Sequence, residues 1–295
     1  MSIRTIFKSF SEERWNIGFI ENDLDSLMRG DKIRVKWIKH HLKDSWIADP
    51  FILDVTDDEI IVMVEEFYKP IHRGRISKLT IDKKSLNLKK LDVVLELPTH
   101  LSFPVIIRPQ EKNDFVYLMP ENGESGELNT YKYWPKENRI EKYETVLKEA
   151  VADAIPVEFN STTYLFATNE KNVNGNELSI YQWDEDTHQY IFDRKLEFEE
   201  NVARMAGNCF IYQGELYRPT QECNVQYGHA VTIQEVILNN DKFVFKEVRR
   251  MYSTHPKLNI GMHTFNSYKG MIVTDALGFD NMWLRNILKF FKLLP

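Results

Sequence analysis

Residues 48–67 read ADPFILDVTDDEIIVMVEEF, and the rest of the chain repeats their layout. An Asp-Pro step leads into an apolar run, Asp57-Asp58 interrupts it, and a second apolar run ends in Glu65-Glu66. Short runs rich in β-branched and aromatic residues, bounded by turn signals, read as paired strands. Four later stretches share the pattern: LSFPVIIRPQEKNDFVYLMPENG from Leu101, ADAIPVEFNSTTYLFATNE from Ala152, ARMAGNCFIYQGELYRPTQEC from Ala203 and MHTFNSYKGMIVTDALGF from Met262. Their lead residues align as Asp49, Ser102, Asp153, Arg204 and His263, at spacings of 53, 51, 51 and 59. Gln213-Gly214 and Lys269-Gly270 mark turns between first and second strands. GRISKLTID, ELNTYKYWP, ELSIYQWDED and HAVTIQEVIL, between the repeats, read as further strands.

A four-strand unit repeated five times at this period predicts an all-β chain folded as a five-bladed β-propeller. One such sheet cannot bury its own faces, whereas five around an axis bury each other's. A β-sandwich would not require the even spacing. WNIGFIEN and DKIRVKWIKHH precede the first repeat and are expected to supply the outer strand that closes the ring. Residues 1–280 then form one domain. Residues 281–295 form a basic, amphipathic C-terminal segment, a short helix with Arg285, Lys289 and Lys292 among apolar residues. It is expected either to dock on the propeller or to touch an anionic membrane surface weakly.

Composition narrows the function. The chain has 295 residues, 43% of them hydrophobic and 28% charged, enough for a sizeable core. A net charge of -6 argues against nucleic acid as a partner. Cys209 and Cys223 make neither a disulfide framework nor a zinc spacing. Neither an export signal nor an apolar stretch long enough to span a membrane is seen, so a cytoplasmic location is expected.

In a propeller the first strand lines the axis and the second runs back, so the start of one and the end of the other share a face. That geometry gathers the five lead residues with Glu65, Glu66, Glu121, Asn169, Gln221, Glu222 and Asp275. Grouped carboxylates with Arg204, Arg218 and His263 nearby suit a polar ligand, or they satisfy one another and cap strands. Two carboxylates facing one pocket are the minimum for cleaving a glycosidic bond. Asp49, Asp153, Glu121 and Glu66 are the candidates. Trp46, Phe67, Tyr68 and Tyr227 would stack on sugar faces or serve as core. No glycine loop for nucleotides and no GxSxG or HExxH is present. A single histidine, His263, is thin evidence for an axial cation, and no metal or other cofactor is expected.

Trp46-Ile47-Ala48-Asp49-Pro50-Phe51, Glu65-Glu66 and Gly74-Arg75-Ile76 resemble the first blade of family 43 glycoside hydrolases. A longer series resembles more closely the N-terminal propeller of glucosamine inositolphosphorylceramide transferases and their bacterial relatives. It comprises His100-Leu101-Ser102-Phe103-Pro104, Met119-Pro120-Glu121, Ala152-Asp153, Arg204-Met205-Ala206-Gly207, Arg218-Pro219-Thr220-Gln221-Glu222-Cys223 and Tyr227-Gly228. The resemblance to family 43 implies a general base at Asp49, a carboxylate at Asp153 that tunes the acid, and an axial histidine at His263. The family's acid, a glutamate leading blade four, has no counterpart here, where Arg204 stands. Either Glu121, Glu66 or Glu222 replaces it, or the site binds a glycan without cleaving it. Arg204 favours an anionic ligand such as a uronate or phosphate. The expected ligand contacts are Trp46, Arg75, His100, Ser102, Arg204, Arg218, Gln221, Glu222, Tyr227 and His263. Two functions follow as expectations: action on a glycosidic bond in cytoplasmic glycan or glycolipid metabolism, or non-catalytic glycan recognition assisting polysaccharide or glycolipid synthesis, in either case peripheral to the inner membrane surface.

Overall fold

The computed structural model describes residues 12–111, 113–239 and 242–279. Two strands come first, β1 (Glu13–Ile20) and β2 (Val35–Trp37), with a one-turn helix α1 (Leu24–Met28) between them. Blade one is β3 (Ser45–Val55), β4 (Glu59–Tyr68), β5 (Arg73–Asp82) and β6 (Leu88–Leu95). Blade two is β7 (Ser102–Ile107), β8 (Val116–Glu121), β9 (Leu128–Trp134) and β10 (Arg139–Leu147). Blade three is β11 (Val151–Phe159), β12 (Thr162–Asn169), β13 (Glu177–Asp184) and β14 (Gln189–Glu197). Blade four is β15 (Phe210–Tyr212), β16 (Glu215–Glu222), β17 (Ala230–Asn239) and β18 (Lys242–Met251), and β19 (Phe265–Tyr268) with β20 (Met271–Phe279) begins blade five. Each blade is a four-stranded sheet in sequential order except the fifth, which runs β19-β20-β1-β2. The five-bladed propeller expected from the repeat is therefore present.

The closure is more extensive than one outer strand. β1 is the third strand of blade five, in unbroken register with β20 from Glu13↔Phe279 to Ile20↔Ile272, and β2 is its fourth. The expected C-terminal helix lies outside the described residues. Among the described residues no helix is long and apolar enough to cross a membrane.

Sequence pattern explains the layers. β4 carries a nearly continuous apolar run because neighbouring blades cover both of its faces. Outer strands such as β14 carry charges at the rim. The core lies between blades: Phe51 of blade one meets Phe103 of blade two edge-on, with ring centroids 5.0 Å apart. Ile17 of β1 is fully buried with Ile47, Ile60, Val62 and Val273. Burying one such side chain stabilises by about 1.5–3 kcal/mol. The turn signals behave as expected: Gln213-Gly214 and Lys269-Gly270 both adopt positive φ at both positions, the conformation of a tight two-residue hairpin turn.

Candidate functional site

The site begins as a backbone irregularity. In blades one, two and three the first strand slips by one residue against the second, between Ala48 and Phe51, Ser102 and Val105, and Ala152 and Ile155. Each slip holds one residue at positive φ: Asp49 at 50°, Phe103 at 44° and Asp153 at 48°. A β-bulge of this kind leaves an amide unpaired and re-aims a side chain. All three freed amides are capped by a carboxylate of the preceding blade. Asp49 N–H donates to Asp275 Oδ2 at 3.2 Å, Phe103 N–H to Asp49 Oδ2 at 3.1 Å, and Asp153 N–H to Glu121 Oε2 at 2.8 Å. The axial carboxylates thus hold the ring's backbone together as well as facing its centre. The register also corrects the alignment of blade two: Phe103, and not Ser102, is the counterpart of Asp49 and Asp153.

A cavity of about 530 Å³ opens on this face. Of the residues expected at the site, Trp46, Asp49, His100, Ser102, Glu121, Arg204, Tyr227 and His263 line it. Trp46 stacks on Phe67 at 4.8 Å, and Trp15 stacks on His263 at 4.0 Å, so aromatic faces form two walls. Tyr227 lies edge-on to His263 and beneath the Arg204 guanidinium, 5.0 Å from its ring centroid.

The other expected residues lie outside the lining. Asp153 is buried against Arg204 Nε and Gln221 Nε2. Gln221 also donates to the Met205 carbonyl. Glu66 turns away to Arg75 and Ser77, and Arg75 reaches on to Glu96 and over the Tyr68 ring. Glu222 binds His229 and the Asn224 amide. Arg218 is fully buried, donates to Gln234 and the carbonyls of Val202 and Ala203, and packs against Phe198 and Phe245. Each of these side chains is engaged by partners within the protein. The lining residues not anticipated as ligand contacts include Glu13, Trp15, Glu65, Lys69 and His72.

Burial and crowding set the electrostatics. Asp49 is pushed up to about 8, chiefly by burial, with Glu65, Asp153 and Asp275 adding to the shift and His263 opposing it. Glu121 is likewise raised well above the usual carboxylate range, by burial and then Asp153, against Arg204. For His263 burial favours the neutral ring, but Asp275 and Asp49 outweigh it and raise the imidazole to about 9. Its Nδ1 lies 2.7 Å from Asp275 Oδ2 and its Nε2 3.7 Å from Asp49 Oδ1. Asp49, His263 and Asp275 bring ligand-type atoms within 4.8 Å of one another. A metal there would have to displace the His263 proton, so the trio fits a buried imidazolium better than a cation site. Arg204, expected to favour an anion where family 43 carries its acid, is already engaged by Asp153, Asn174 and, at 3.7 Å, Glu121.

Comparison with known proteins accords with this geometry. Residues 36–273 match the family model described as glucosamine inositolphosphorylceramide transferase 1, N-terminal. The chain is 27% identical over 221 residues to glucosamine inositolphosphorylceramide transferase 1 of Arabidopsis thaliana, covering 70% of this chain and 28% of that protein. It is 27% identical over 209 residues to the protein of the same name from Oryza sativa subsp. japonica, covering 65% and 26%. The chain therefore spans only about a quarter of the length of these relatives. Among solved structures, a family 43 β-xylosidase/α-arabinofuranosidase from a compost microbial metagenome superposes with a TM-score of 0.54 at 10% identity, covering 81% of this chain and 91% of that one. The exo-β-1,3-galactanase of Phanerochaete chrysosporium gives 0.51 at 7% identity, covering 68% and 49%. At these identities the likeness is one of fold. By the match over most of its length, the chain belongs to the family of N-terminal domains of glucosamine inositolphosphorylceramide transferase 1.

Proposed function

We propose that the axial cavity binds a sugar and that this propeller serves as a glycan-recognition unit in glycan or glycolipid synthesis. The observation that carries the reading is the ion pair at blade four. Arg204 stands where a catalytic acid would be required and ties up Asp153, while the cavity beside it stays open and walled by Trp15, Trp46 and Phe67. An aromatic-lined, polar-floored pocket is suited to holding a sugar. One neighbour in fold is a xylosidase crystallised with xylotriose, and the family's name concerns a glycolipid transferase.

A second reading, action on a glycosidic bond, has one observation in its favour: Asp49 and Glu121, both raised by burial, face the same cavity. Carboxyl groups raised above their usual range by burial are what acid–base catalysis uses. Asp49→Asn separates the two. Recognition predicts glycan binding by the wild type, retained in the variant, and no turnover by either protein. Turnover of aryl glycosides or lipid-linked sugars by the wild type, abolished in the variant, would replace recognition with catalysis. We also propose a cytoplasmic location, peripheral to the inner membrane surface, on the strength of the basic, apolar sequence of residues 281–295. Unchanged liposome co-sedimentation on deleting those residues would remove that part.

A further inference from the structure

Among the buried carboxylates of the described residues, one stands apart. Asp49 accepts from the Phe103 amide and the Thr264 hydroxyl. Asp153 accepts from Arg204 and Gln221, and Asp275 from the amides of Asp49, His263 and Thr264. Glu66 and Glu222 have the partners named above. Glu65 is 6% exposed and lines the cavity, yet among the described residues His100 is the one donor that approaches its carboxylate. Its nearest donor, His100 Nε2, lies 3.1 Å from Oε1 but off the bonding direction. A carboxylate this buried is costly unless a donor meets it.

The surroundings are built to keep Glu65 in place. The Gly74 amide donates to His100 Nδ1 at 3.0 Å, which puts the neutral imidazole's proton on Nε2, the nitrogen facing Glu65. The His100 amide is itself fixed by Glu124 at 3.0 Å. Gly74 leaves the bed open: a Cβ there would stand 2.7 Å from Glu65 Oε1 and 2.9 Å from His100 Nε2. The register sets the direction, because Glu65 lies opposite Ala48 of the cavity wall while Glu66 lies opposite the core residue Ile47. His100 attends to Oε1, and Oε2 takes no hydrogen bond from the described residues.

Charge decides what completes it. The cations of the lining are engaged: Arg204 by Asp153, Lys69 by Glu12 and His263 by Asp275. Glu13 and Glu65 face the same space, together with Asp49 and Glu121, whose carboxyls burial pushes toward the neutral form. We infer that Glu65, oriented by His100, anchors the ligand of this cavity and selects a sugar that brings a hydroxyl or ammonium donor to it over one that brings a carboxylate or phosphate. This rests on the sugar-binding reading above.

The test is an array of neutral, amino, uronic acid and phosphorylated glycans probed with the folded chain, followed by calorimetry on the best-bound glycan. Neutral or amino glycans should lead. Glu65→Gln, nearly isosteric, should weaken binding at least tenfold while its thermal midpoint stays near that of the wild type. His100→Leu should weaken it similarly. His100→Gln, whose amide can accept from Gly74 and donate to Glu65, should retain most of it. Leadership by uronic acid or phosphorylated glycans, unchanged affinity in Glu65→Gln, or equal losses in His100→Gln and His100→Leu would overturn the inference and leave the sugar reading standing. Binding of no glycan of any class would overturn both.

Discussion

Replacing Asp49 by Asn removes one titrating group from the centre of the ring and changes its shape little. In the unfolded chain Asp49 ionises near the ordinary aspartate value of 3.8, whereas in the folded protein burial holds the proton until about pH 8. Between those values the folded state binds the extra proton, so stability falls as pH rises, by about 1.4 kcal/mol per pH unit for one group. From pH 5 to pH 8 that amounts to about 4 kcal/mol. His263 acts in the same direction over a later window. Raised from 6.5 to about 9, it contributes stability that is complete below pH 6.5 and lost as pH rises through 9. Asp275, lowered from 3.8, contributes stability that is present above that pH and is lost only as the pH falls below it. Because Asp49 and His263 touch, they titrate jointly, and their combined slope between pH 7 and 8 is about 2 kcal/mol per unit. Asn cannot ionise, so Asp49→Asn should cut that slope by about half. Asn places an NH2 where Asp49 places one of the two oxygens that meet Phe103 and Thr264, which adds a cost of about 1–3 kcal/mol. Urea unfolding of both proteins at unit intervals from pH 5 to 9 reads the difference, in which titrations away from the Asp49–His263 pair cancel. Parallel curves, or wild-type stability that rises from pH 6 to 9, would refute the assignment of a buried, proton-holding Asp49.

Arg204→Met should destabilise by about 3–5 kcal/mol, because it leaves Asp153 and Glu121 buried without their cation. Adding Asp153→Asn should restore part of that loss in chemical unfolding, and no restoration would mean the pair is not what Arg204 supports. Gly207 has a φ of 152°, and a Cβ there would meet the Phe265 carbonyl at 2.1 Å. Gly207→Ala should therefore cost about 2 kcal/mol or more, and an unshifted urea midpoint would contradict the close approach of blades four and five. Ile17→Ala, at a fully buried position of β1, should cost about 2–5 kcal/mol. A loss below about 1 kcal/mol would argue that β1 does not close the ring as described.

The ring itself was legible because the repeat is written in strand pairs and turn residues, both local signals. Asp49 and Asp153 were legible for the same reason, each following an alanine at the start of a repeat. What stayed hidden depends on register. A bulge adds a residue that spacing cannot reveal, so Ser102 was aligned where Phe103 belongs. Successive strand residues face opposite sides, so choosing between Glu65 and Glu66 required knowing that Glu65 lies opposite Ala48. Trp15 and Glu13 reach the cavity only through the pairing of β1 with β20, and no local pattern connects segments so far apart. Arg204 and Arg218 look alike in the sequence, each in an apolar stretch of the fourth repeat. One borders the cavity and the other packs between Phe198 and Phe245, a distinction made by the neighbouring strands.

The mixed origin of blade five bears on how the chain is synthesised. Ile20 cannot meet Ile272 until nearly the whole described chain has left the ribosome. During that interval blades one to four can assemble locally, while the apolar side chains of β1 wait uncovered. The last hairpin of the ring, β19 and β20, therefore acts as a latch that joins the first of the described strands to the last of them.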